Sequence, residues 1–134
     1  MPPKPDIPYL VHADNLVETE SAEAREQKAS KKDEITYSIS GAASPVKTPL
    51  ASPIFLLQTD KLNADKLQLY KLDARNGARE IMFSHKKNSA KPINLTVNRV
   101  AEGLYRLEVT DSLPNGEYSL TPEGSNQVFC FEIN

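Results

Sequence analysis

The sequence predicts an all-β protein, an antiparallel sandwich over residues 53–134 with an N-terminal extension over residues 1–52. Three observations predict it. Apolar residues recur mostly at every second position, the period with which side chains alternate across a strand. Turn-forming clusters interrupt these runs at spacings of about 8 to 12 residues, as in sandwiches and barrels. Bulk is unevenly shared: all four phenylalanines lie in 53–134, whereas 1–52 holds six of the ten prolines.

The extension opens on Met1-Pro2-Pro3-Lys4-Pro5, which has no apolar stretch resembling a secretion leader. Two expectations follow: a cytoplasmic protein, or the mature part of an exported one whose leader is absent from this sequence. The proline-rich start resembles the spacer after a cleavage site, so the extracytoplasmic expectation is preferred. Tyr9-Leu10-Val11 and Leu16-Val17 are short apolar runs. Residues 18–32, "ETESAEAREQKASKK", are good helix formers without Gly or Pro, yet only alanines mark an apolar face. Both a short solvated helix and a polar hairpin turning at Lys31-Lys32-Asp33 into Ile35–Ile39 fit. The three prolines of "GAASPVKTPLASP", residues 41–53, make an extended connection.

Within 53–134, residues 67–74 and 79–84 flank Asn76-Gly77, whose tolerance of positive φ suits a tight hairpin. Ile93, Leu95 and Val97 alternate with polar residues, as do Tyr105, Leu107 and Val109. The chain closes on Val128-Phe129-Cys130-Phe131-Glu132-Ile133. Alternation points Phe129, Phe131 and Ile133 into the sandwich and Val128 and Cys130 to its outer face, which needs a cover. Leu67, Leu69, Tyr70 and Leu72 fill both parities of another strand. The expected cover is the run Tyr9, Leu10, Val11 with Leu16 and Val17, from the same chain or a neighbour.

Leu113-Pro114-Asn115-Gly116-Glu117-Tyr118-Ser119-Leu120 places a tyrosine two residues after a Pro/Gly turn. This resembles the tyrosine corner of immunoglobulin-like sandwiches, where the hydroxyl returns to a backbone group. Gly116 and Tyr118 are thus expected to be structural. From Gly103 onward the chain is also similar to uncharacterised, secreted bacterial domains that end on a G-E-Y strand and a last apolar strand. The likeness covers about the C-terminal 80 residues. It implies an immunoglobulin-like fold and an extracytoplasmic address, and transfers no catalytic residue. Asn115 departs from the commoner turn residue, and the long extension lies outside the usual module.

Candidate chemistry is sparse. The net charge of −2 leaves no basic field for nucleic acid. No apolar run approaches the roughly 18 residues of a membrane-spanning helix. Cys130 is the only cysteine, so an internal disulfide or a cysteine metal cluster is excluded. Between two phenylalanines it reads as a buried, inert thiol and not as a nucleophile. His12 and Asp14 stand two residues apart and could form an acid–base or metal pair, but no further ligand pattern accompanies them. His85 lies in a basic turn. The acidic residues of 14–34 lack the spacing of a calcium loop, and phosphate-binding and nucleophile-elbow motifs are missing. No metal or cofactor is expected. Tyr70 is the one tyrosine whose face stays undetermined.

The sequence thus predicts a non-catalytic extracytoplasmic module acting through protein contacts. The expected interface is Tyr9, Leu10, Val11, Leu16 and Val128. Self-assembly by exchange of the N-terminal arm as a strand, or a small ligand-binding protein or enzyme using His12 and Asp14, are the alternatives.

Overall fold

Period-two alternation becomes thirteen strands in the computed structural model, which describes residues 2–12, 15–27, 34–75, 77–84, 91–122 and 126–133. In chain order they are β1 (Tyr9–His12), β2 (Asn15–Glu18), β3 (Glu20–Glu23), β4 (Arg25–Gln27), β5 (Glu34–Ser40), β6 (Lys47–Thr48), β7 (Ile54–Gln58), β8 (Gln68–Arg75), β9 (Ala78–Ser84), β10 (Leu95–Ala101), β11 (Leu104–Val109), β12 (Gly116–Thr121) and β13 (Gln127–Ile133). A 3-10 turn, Ala64–Lys66, precedes β8. Among the described residues no helix is long and apolar enough to cross a membrane.

The strands form two sheets packed face to face. One has the order β10-β11-β7-β1-β2 and is antiparallel throughout. The other runs β3-β13-β12-β8-β9-β5-β4, antiparallel apart from the short parallel strand β6 on β13. Their shared core holds Phe55 and Leu57 of β7, Leu107 and Val109 of β11, Leu10 of β1, and Leu69, Tyr118, Leu120, Phe129, Phe131 and Ile133 opposite. Phe131 sits at its centre. Its ring meets Phe55 edge-on at 5.2 Å and stacks on Tyr118 at 5.6 Å.

The second sheet closes on itself. Its two edge strands, β3 and β4, are separated only by Ala24, whose N–H donates to the Asn126 carbonyl at 2.7 Å. Residues 20–27 therefore act as one bent strand, paired with β13 on one side and β5 on the other. The result is a ring of residues 20–27, β5, β9, β8, β12 and β13. Closure pairs both β3 and β4, which would otherwise be this sheet's free edges, the part of a sheet most prone to pair with another chain. Inside the ring lies a second apolar cluster of Ala24, Ile39, Tyr70, Leu72, Ile81, Val128 and Cys130.

Two expectations change. Of the two expectations for 18–32, the helix gives way to strands in the described part, 18–27, and β4 pairs with β5 from Arg25↔Ser38 to Gln27↔Thr36. Tertiary pairing overrides helix propensity here, because Ala22 and Ala24, two apart, are small enough to pack on the ring's interior cluster. The turn at Lys31-Lys32-Asp33 lies outside the described residues. Second, residues 9–17 do not cover Val128 and Cys130. β1 and β2 extend the five-stranded sheet, and Leu10 enters the sandwich core. The cover comes from β5, β9 and Ala24 across the ring. The chain crosses between sheets at buried Thr19, whose hydroxyl donates to the Pro8 carbonyl at 2.7 Å.

Candidate functional site

The ring is sealed at one end and cleft at the other, and the difference follows from how β8 pairs. Over Asp73–Arg75 it pairs with β9, at Ala78–Glu80, on either side of a turn containing Gly77 at φ +77°. A side chain at that φ would be strained, so glycine suits the site. Asn76 lies outside the described residues. N-terminal to Asp73, β8 keeps its ladder with β12 but parts from β9. The Leu69 carbonyl instead accepts from the Ile93 N–H at 2.7 Å. Side chains then span the gap: Tyr70 and Phe83 meet edge to face at 5.3 Å, and Phe83 meets Tyr37 likewise at 6.0 Å.

Where the strands part, a cleft of about 660 Å³ enters the ring. Its apolar wall is Ala24, Tyr37, Ile39, Tyr70, Ile81, Phe83 and Val128. Ser119 and Thr121 add hydroxyls from β12, and Gln68, Asn126, Asp65 and Lys66 form the rim. Ser119 and Thr121 meet at 3.4 Å, and the Tyr70 hydroxyl donates to Gln68 Oε1. The 3-10 turn presents Asp65 and Lys66, both exposed. Asn63 caps that turn by accepting from the Asp65 N–H at 3.1 Å.

The sealed end is polar. Arg79 is fully buried, and its guanidinium is engaged on every nitrogen. Nε donates to the Gly41 carbonyl (2.9 Å), and Nη1 donates to Glu20 Oε1 (2.6 Å). Nη2 donates to Glu20 Oε2 (3.2 Å) and to the Ser40 carbonyl (2.7 Å). Gly41 takes a φ of +91°, which turns its carbonyl without steric cost. Beside this pair, Glu117 and Glu132 are direct cross-strand partners. Glu117 accepts from the Ser44 N–H at 2.7 Å, and Lys47 lies 3.6 Å from Glu132. Burial raises the Glu117 carboxyl above its ordinary value, with the Glu132 carboxyl adding to the rise and the Ser44 N–H and Arg79 opposing it. Burial also pushes the Cys130 thiol up to about 12, so it stays protonated at neutral pH and is no nucleophile.

The residues expected to form an interface are dispersed. Tyr9 and Leu10 are buried in the five-stranded sheet, with the Tyr9 hydroxyl donating to Glu18 Oε1 at 3.0 Å. Val11 and Leu16 are half-buried on the β1–β2 hairpin, and Val128 lies in the cleft wall. Gly116 begins β12. The Tyr118 hydroxyl donates to the Pro114 carbonyl four residues upstream at 2.6 Å. His12 is exposed at the end of β1, while Asp14 and His85 lie outside the described residues. Among the described residues no group of three or more His, Cys, Asp or Glu is placed to hold a metal ion.

Tyr37, Phe83, Ser119 and Thr121 were not singled out from the sequence. The usable signal was period two: Tyr37 and Ile39 share one parity of β5, and Ile81 and Phe83 one parity of β9. Comparison with known proteins finds no matching family model, no similar curated protein and no similar solved structure.

Proposed function

We propose that this protein is a non-catalytic binding module, working outside the cytoplasm, that engages its target through the cleft of the closed ring. The cleft carries the proposal. Its volume falls within the range of small-molecule sites, and it combines an apolar, aromatic wall with few polar groups, as such sites do. The ionisable groups behind it do not favour catalysis. Arg79 is consumed by Glu20 and two carbonyls, and Cys130 is held as a neutral thiol. The likeness of the chain from Gly103 onward to secreted bacterial domains supports the extracytoplasmic address, and the tyrosine corner at Tyr118 supports the kinship with immunoglobulin-like modules.

A thermal-shift screen of small molecules and short peptides tests this, run on the wild type and on Ala24→Phe, which fills the cleft. Compounds that stabilise the wild type should lose their effect in the variant. Stabilisers acting equally on both proteins would overturn the reading.

A second reading, contact with another copy of the chain, draws on the five-stranded sheet. Its edge strands β2 and β10 expose Val17 (37%) and Val100 (57%), and open apolar edges favour strand addition. Light scattering over a concentration series decides it: a constant monomer mass removes this reading.

A further inference from the structure

The chemistry of the cleft limits what it can hold, given that the cleft is the binding site. We propose that it takes a neutral, largely apolar molecule bearing one hydrogen-bonding group, such as a hydroxyl, carbonyl or N–H. Three features of the lining support this.

Among the described residues no uncommitted charge faces the interior. Asp65 and Lys66 are neighbours of opposite sign at the exposed rim. Among the described residues the buried cation of the ring wall is Arg79, and it already has a partner at Nε, Nη1 and Nη2. A charged ligand would lose its hydration among Tyr37, Ile39, Tyr70, Ile81, Phe83 and Val128 without gaining a counter-ion, which is costly. The aromatic rings are packed edge to face on one another at 5.3 and 6.0 Å, so they do not splay about an empty centre as a cage for a quaternary ammonium would. Finally, Ser119 is 1% exposed, and its hydroxyl meets Thr121 Oγ1 only at 3.4 Å. That separation lies beyond the usual O–H···O range, so the pair keeps hydrogen-bonding capacity for a ligand.

Two dyes sharing one skeleton test the charge directly. N-phenyl-1-naphthylamine is neutral and carries a single N–H. 8-Anilinonaphthalene-1-sulfonate adds an anionic group to the same rings. Benzyltrimethylammonium serves as the cationic competitor.

The neutral dye should bind the wild type with a blue-shifted rise in emission, and the sulfonate at least about tenfold more weakly. The ammonium should not displace the neutral dye. Ser119→Ala should weaken the neutral dye by about three- to tenfold, the worth of one hydrogen bond. Ala24→Phe should abolish binding. Gln68→Trp, at an exposed rim position, should do the same if the first variant fails to fold.

Equal or tighter binding of the sulfonate, displacement by the ammonium, or no binding of the neutral dye to the wild type would each overturn the neutral class. The cleft would remain the site if the peptides or charged probes still lost binding in the filled variants. Equal binding of every probe to the wild type and both filled variants would remove the cleft and the ligand class together.

Discussion

β8, β12 and β13 each carry two faces, and the two are built to different rules. Toward the sandwich they present Leu69, Tyr118, Leu120, Phe129, Phe131 and Ile133, all sealed against the other sheet. The one hydroxyl among them, on Tyr118, is satisfied by the Pro114 carbonyl. Toward the ring the same strands present Tyr70, Leu72, Ser119, Val128 and Cys130, with Glu117 beside them. Here the opposite wall supplies a buried arginine and a cleft. The sandwich face is close-packed hydrocarbon, where each methylene contributes to stability. The ring face gives up packing for polar groups and space. One strand can therefore anchor the fold with one parity of its residues and shape a site with the other.

The largest expected effect tests the anchoring face. Phe131→Ala removes the ring that touches both Phe55 and Tyr118 at the middle of the sandwich. A loss of about 3–5 kcal/mol is expected in urea unfolding, the usual range for such truncations. A loss below about 1 kcal/mol would mean that the sandwich is not the main source of stability.

Arg79→Ala strikes the ring face next. It strands the Glu20 carboxylate and leaves the Gly41 and Ser40 carbonyls without their donor. Glu20 keeps 22% of its side chain exposed, so water relieves part of the penalty. A destabilisation of about 3 kcal/mol is expected, at the low end for breaking a buried pair. Arg79→Met combined with Glu20→Leu should recover most of it, since apolar substitutes of similar volume avoid the desolvation cost. Additive single effects in that cycle would show that the pair is not coupled.

The sandwich was legible in the sequence because its signal is local. Phe129, Phe131 and Ile133 alternate with Val128, Cys130 and Glu132, and the two parities do face different clusters. The double parity of Leu67 to Leu72 marked a strand shared by two cores. Ring closure was not legible. It depends on residues 20–23 pairing with β13 more than a hundred positions away, and on 25–27 pairing with β5. Nothing local announces this, because the alanines, glutamates and glutamine there favour a helix. The cleft shares that difficulty, since its wall is assembled from five strands and Ala24, with the 3-10 turn at its rim. Residues 9–17 read as the cover for Val128 and Cys130 only because no local cue in the sequence shows that the sheet curls.

A smaller effect is expected at Cys130. It is fully buried in the ring, and its thiol behaves as a small apolar group. Cys130→Ser replaces it with a hydroxyl of greater hydration cost, and about 1–3 kcal/mol should be lost. In the native protein a disulfide reagent at pH 8 should modify the thiol only as fast as the ring opens. Immediate reaction would contradict the burial.

The smallest effect, and the most diagnostic of the ring face, concerns Glu117. Burial and the neighbouring Glu132 raise its folded-state pKa above the unfolded value. The folded protein therefore holds this proton more tightly than the unfolded chain does. The resulting stabilisation is fully present below the ordinary carboxylate range and is lost as pH rises through the raised pKa. Glu117→Gln keeps an acceptor for the Ser44 N–H and removes the ionisation. The variant should melt at nearly the wild-type temperature near pH 4 and above it at pH 7 to 8. The gap should open through the window just above the ordinary glutamate pKa. A melting difference constant from pH 4 to 8 would show that Glu117 ionises as freely in the folded ring as in the unfolded chain, and the ring face would lose its clearest electrostatic contrast with the sandwich.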